Sequence, residues 1–168
     1  MSAHIDPIPR EARPFQGHRA GLVTRTLAAA IDVAIVTVAL GVCYLGIWLF
    51  LLLYRPRNFS APTLSPWLVS IAGCLLLTLY LAVNWMGGGG RTYGNHVMGL
   101  RVVNREGRRL GPFLALVRAV FCVIFPIGLL WVLFSGQNRS LQDLVLRTSV
   151  IYDWDVRPLQ EPPKPVRQ

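Results

Sequence analysis

Three long apolar runs, residues 27–54, 67–86 and 113–134, set the limits on what this chain can fold into. A run of about 20 apolar residues matches the ~30 Å hydrocarbon core of a bilayer. Only 15% of the residues are charged, against about 25% in an ordinary soluble domain. A chain of 168 residues carrying three such runs has too little polar sequence left to hide them inside a soluble bundle. The expectation is an all-α membrane protein with three hydrophobic helical segments.

The first run holds one charge, Asp32, and Arg25 stands just outside its edge. A helix over its 28 residues is about 42 Å long, so it must tilt or protrude. A lone carboxylate beside lipid costs ~2.5–3.5 kcal/mol or more at mid-bilayer, so something must shelter it. Two readings stay open: Asp32 is buried against a partner, or the span begins at Val33 and leaves it in the interface. Arg25 and Asp32 share a helix face, being seven residues apart. Along the axis, however, they are roughly 10 Å apart, so each needs a partner elsewhere, or water.

Pro56, Pro62 and Pro66 break the chain after the first run. The second run is uncharged, with Trp67 and Trp85 near its ends in the manner of interfacial anchors. The four glycines at 87–90 lack the Gly-Lys-Ser/Thr that completes a phosphate loop and read as a flexible exit from the membrane. In the basic stretch that follows, Leu100–Val103 has strand character and Asn104–Gly107 supplies a turn, which predicts a small β-hairpin within this loop. The third run contains Arg118, and Pro126-Ile-Gly128 should kink or break it. Its 22 residues suffice for one span but not two. Length favours three full spans. The alternative is a broken, re-entrant third segment, which would let a second strand, Thr148–Tyr152, pair with Leu100–Val103.

The net charge of +9 is carried almost wholly by arginine. The arginines flank the apolar runs and no nucleic-acid module is recognisable. The positive-inside rule and contact with anionic lipid head groups account for them, and nucleic acid is not an expected partner. Cys43, Cys74 and Cys122 lie one per apolar run with no His or Cys at ligand spacing, so free thiols are expected, with no metal and no cofactor. His4 and His18 are isolated. No nucleophile-and-base pattern points to an enzyme. The first run is too long for a cleavable signal peptide and reads as a retained anchor.

Taken in order, Arg25 and Asp32, Thr92-Tyr-Gly94, Gly99-Leu-Arg-Val-Val103, Glu106-Gly107, Arg118, Arg139-Ser-Leu-Gln-Asp143 and Thr148-Ser-Val150 resemble the RDD family of small bacterial membrane proteins. The family is named for one arginine and two aspartates, and the matching positions are Arg25, Asp32 and Asp143. The resemblance covers roughly residues 20–152. It implies a multi-pass protein of the bacterial cell (inner) membrane, with transport suspected and sodium/proton exchange in some members. Two positions depart from the family pattern. Asn95 follows Gly94 where Lys is common, and Gln142 precedes Asp143 where His is frequent, which puts a proton-handling role of that His in doubt.

The domain organisation expected is a polar tail over residues 1–19, a membrane domain over 20–152 and a disordered Pro-rich tail over 153–168. With the N-terminus cytoplasmic, four arginines precede the first span and five lie in the second loop, against two in the first loop, as the positive-inside rule requires. This orientation puts Asp32 and Arg118 at similar depth, and a buried Asp32–Arg118 pair is expected. Two functions fit: a small ion- or proton-coupled exchanger built on Asp32, or a structural or partner-binding membrane protein whose charges hold the helices together. So few helices imply an oligomer or a protein partner.

Overall fold

The computed structural model describes residue 14 and residues 17–54, 56–58, 60–87, 89–134 and 140–154. Two helices, α1 (Leu22–Tyr54) and α2 (Pro66–Gly87), are long and apolar enough to cross a membrane. At ~1.5 Å per residue they run about 50 and 33 Å, enough for a ~30 Å hydrocarbon core. Helix α1 starts more than a turn before its apolar run, so Arg25 lies inside the helix and not at its edge.

Helix α1 buries Arg25, Ala28, Asp32 and Val36, whose spacing of three and four residues puts them on one face. Helix α2 buries only Leu81, Ala82 and Trp85, near its end. The packed core therefore gathers at one end of the helix pair. Elsewhere the two helices expose Val38, Val42, Phe50, Leu68, Ile71 and Leu75. In water such a surface is an aggregation liability; in hydrocarbon it meets its own solvent.

The third apolar run does not form a third long helix. Its first part is α4 (Pro112–Ile124), about 20 Å long and too short to cross. Pro126 has no N–H to continue the helix, and the chain passes through a 3-10 turn (Pro126–Leu130) into α5 (Trp131–Phe134). Three full spans, the expectation from length, are replaced by two long helices and a broken third segment. Ala115 and Ala119 of α4 join Leu81, Ala82 and Trp85 in one core cluster.

Strand β1 (Leu100–Asn104) does not form the local hairpin but takes the partner expected for a broken third segment. The turn at Asn104–Gly107 forms, with Gly107 at φ 73° and its N–H on the Asn104 carbonyl at 3.0 Å. No second strand follows it, because residues 105–109 are polar and exposed. Instead β1 pairs antiparallel with the distant β2 (Thr148–Tyr152), which sets Val102 opposite Val150. Both valines are buried, an apolar gain that Arg108 and Arg109 could not supply. The two-stranded sheet holds the chain on both sides of the broken segment at one end of the molecule.

Both outer edges of this sheet are covered. Ala20 donates to the Val150 carbonyl at 2.9 Å on one side, and Val102 donates to the Gly90 carbonyl at 2.8 Å on the other. Gly90 is thus more than a flexible exit: it sits at φ 82°, and a Cβ there would lie 2.4 Å from the Val102 oxygen. Asp153, placed with the tail by composition, is buried and bridged by Arg91 (3.1 Å) and Arg101 (2.8 Å). Of the expected tails, residues 1–19 and 153–168, residues 1–13, 15–16 and 155–168 lie outside the described residues.

Candidate functional site

Two polar clusters sit side by side at the packed end. The first is built on α6 (Leu141–Val145). Ser140 caps this helix, its hydroxyl accepting from the Asp143 N–H while the Asp143 carboxylate accepts from the Ser140 N–H, a reciprocal capping box. That cap fixes the carboxylate between two buried guanidiniums. Arg25 Nη1 approaches Asp143 Oδ2 at 2.5 Å, and Arg118 Nη1 approaches Oδ1 at 2.7 Å. Arg25 also donates to the carbonyls of Ala20 (3.1 Å) and Val150 (3.3 Å), and Arg118 to the Thr148 hydroxyl. Burial alone would raise the Asp143 pKa. The charges of Arg118 and Arg25 outweigh it and hold the pKa at about 2.

The second cluster surrounds Asp32, which is buried in α1. The Tyr80 hydroxyl of α2 donates to Oδ1 at 2.9 Å, the Gly94 N–H donates to the same oxygen at 2.8 Å, and the Thr92 hydroxyl donates to Oδ2 at 2.6 Å. Thr92 and Gly94 belong to the start of α3 (Tyr93–Val97), where Thr92 is the N-cap and accepts from the Asn95 N–H. Gly94 lets α3 press against α1: a Cβ there would stand 2.1 Å from the Ala28 carbonyl oxygen and 2.9 Å from Asp32 Oδ1. Among the described residues no Arg or Lys lies within ion-pair distance of Asp32. The expected Asp32–Arg118 pair is therefore not formed. Both residues line one cavity, but Asp143 takes Arg118 because the break at Pro126 turns α6 back towards it.

The model of the RDD family matches residues 19–147. The chain belongs to the RDD family. A relative from Bacillus subtilis (strain 168), "Uncharacterized protein YxaI", is 33% identical over 67 residues, 36% of this chain and 42% of that protein. The match thus spans less than half of that relative's length. No solved structure matches.

In this RDD protein the three positions singled out by the resemblance fall into two places. Arg25 and Asp143 form one ion-paired unit with Arg118, while Asp32 stands in the neighbouring cluster with neutral partners. Gln142, where the family often has His, donates to the Phe125 carbonyl at 2.7 Å and ties off the broken end of α4. Gly128 makes room for it, since a Cβ there would stand 2.7 Å from the Gln142 amide nitrogen.

A largely apolar cavity of about 500 Å³ opens between α1, α2 and α4, with Arg25, Asp32, Asn95, Arg118, Ser140 and Gln142 at its polar side. Trp85 is also in its wall and stacks on the Arg118 guanidinium, 5.2 Å from ring centre to charge. Trp85 Nε1, Arg118 Nε and Gln142 Oε1 are buried without a hydrogen-bond partner among the described residues. Such orphans mark a place where the polar account is completed by something other than protein. No group of three or more His, Cys, Asp or Glu gathers among the described residues, and Cys43, Cys74 and Cys122 are free thiols.

Sequence reasoning missed Tyr80 and Asp153 and gave Thr92 and Gly94 no role. For Thr92 and Gly94 the signal was present: a capping threonine and a glycine in the motif that follows a buried acid. Tyr80 was masked by the uniform hydropathy of its run.

Proposed function

We propose that this RDD protein is a small ion- or proton-coupled membrane exchanger in which Asp32 takes up the proton or cation. The observation that carries this reading is the division of the buried charges. Asp143 is ion-paired with both Arg25 and Arg118, whereas Asp32 is held by neutral donors beside an open cavity. A buried carboxylate without a counter-charge attracts a cation and marks an ion path more often than a packing contact.

The geometry suits reversible loading. Oδ1 accepts two hydrogen bonds, one of them from a backbone N–H that cannot reverse. Among the described residues Oδ2 accepts only from Thr92. A proton on Oδ2 is accommodated when the Thr92 hydroxyl rotates from donor to acceptor, a role hydroxyls exchange freely. A hard cation finds carboxylate and hydroxyl oxygens at the same corner. Two long helices do not enclose a pathway alone, so an oligomer or a protein partner completes it. The arginine distribution supports a cytoplasmic N-terminus in the bacterial inner membrane, with arginines against anionic lipid head groups. No enzymatic chemistry, cofactor or nucleic acid enters this account.

A second reading is favoured by Gly94. The tight seat of α3 on α1 would equally make Asp32 a structural clamp. Cation-driven proton flux in everted membrane vesicles separates the two. Asp32→Asn should abolish flux while the protein stays abundant and folded. Unchanged flux in the variant, or loss of the folded protein, would favour the clamp.

A further inference from the structure

A second, polar pocket of about 320 Å³ lies on the far side of Asp143, lined by Arg19, Arg105, Leu144, Arg147, Thr148 and Ser149 as well as by Asp143 itself. We propose that it binds the phosphate group of an anionic lipid, with Arg105 and Arg147 as its main ligands and Arg19 in its wall.

Three arginines, Arg19, Arg105 and Arg147, line it together with the Asp143 carboxylate, which is already held by Arg25 and Arg118. Among the described residues neither Arg105 nor Arg147 has an ion-pair or hydrogen-bond partner for its guanidinium, and both are exposed. Guanidiniums in a fork around a concave site are suited to phosphate oxygens. Ser149 and Thr148 add hydroxyls to the wall. The volume falls at the lower end of the ~300–1,000 Å³ of ordinary ligand sites, so a phosphate and part of its ester fit together.

The position argues for a lipid over a free ion. Arg19 lies three residues before α1 begins at Leu22, and Val23, one residue into the helix, is exposed. The pocket therefore sits where the first long helix leaves its apolar zone, the depth of head groups. One more feature shows that Arg147 holds its place against a cost. It follows α6 with φ 52°, a left-handed position normally given to glycine at a helix end. An L-residue is disfavoured there.

That conformation also provides a variant that removes the charge without harming the fold. Arg147→Gly suits the backbone, and Arg105→Gln changes an exposed turn. The test is native mass spectrometry of the detergent-solubilised chain with phosphatidylglycerol, phosphatidylcholine or inorganic phosphate added separately. The expected result is preferential retention of phosphatidylglycerol, weakened about five-fold by each variant, the change that ~1 kcal/mol per basic residue corresponds to. Retention of inorganic phosphate with no preference for phosphatidylglycerol would overturn the lipid assignment. Equal retention of phosphatidylglycerol by the parent and both variants would overturn the site.

Discussion

Replacing Asp143 by asparagine should remove most of the stability of the packed end. The carboxylate is shared by two buried guanidiniums at 2.5 and 2.7 Å. Breaking one buried pair by removing a partner costs about 3–5 kcal/mol, because a charge is left uncompensated. Here two are left, but their losses share one group and do not add. The lowering of the Asp143 carboxyl to about 2 by the two guanidiniums corresponds to roughly 2 kcal/mol. Asparagine keeps an oxygen for the Ser140 N–H, so the α6 cap survives and the effect isolates the charge. The expected cost is therefore about 3 kcal/mol or more. Asp32→Asn strands no counter-ion. Its oxygen still accepts from Tyr80 and Gly94 and its amide can donate to Thr92, so about 1 kcal/mol is expected. Denaturant-induced unfolding in detergent micelles, followed by tryptophan fluorescence, measures both. If Asp143→Asn costs no more than Asp32→Asn, the division of charges described here is wrong.

Other outcomes follow from the same geometry. Gly94→Ala forces a methyl to 2.1 Å from the Ala28 oxygen and should cost about 1–3 kcal/mol, with α3 displaced from α1; a stability equal to the parent's would contradict that packing. The folded pKa of Asp143 lies below 3.8, so its contribution is complete above about pH 4 and fades as pH falls towards 2. An acid titration of stability should show this limb in the parent and lack it in Asp143→Asn. Val102 and Val150 are cross-strand partners, so cysteines at both positions, with Cys43, Cys74 and Cys122 replaced by serine, should form a disulfide on mild oxidation. Absence of that bond would place the C-terminal segment away from β1.

Much of this architecture is legible in the apolar runs. They locate α1 and α2 closely, and the proline at 126 locates the break in the third. The need of Asp32 for shelter is legible too, since a lone acid in an apolar helix demands it. The identity of the shelter is not. Helix α3 spans five residues, too few to show a period, and its hydrogen-bonding group at Gly94 is a backbone N–H without a side-chain signature. Arg118 matches Asp32 in depth, but depth does not tell which carboxylate the chain brings to it. That choice depends on the turn at Pro126–Leu130 and on the Ser140 cap, which act together only in three dimensions. For β1, a local turn signal suggested a local partner. The distant β2 prevails because Val150 can be buried against Val102, whereas residues 105–109 cannot. Asp153 was hidden by the Pro-rich composition around it.

The account rests on Asp32 being a carboxylate that loads and unloads while the fold stays intact. The most direct measurement is infrared difference spectroscopy of the purified protein across pH, with and without sodium, compared with Asp32→Asn. The account predicts a buried carboxyl band that appears on acidification within the folded range, weakens when sodium is added and is missing from the variant. A spectrum in which Asp32 stays ionised until the protein unfolds, with no response to the cation, would contradict it and leave Asp32 as a clamp between α1, α2 and α3.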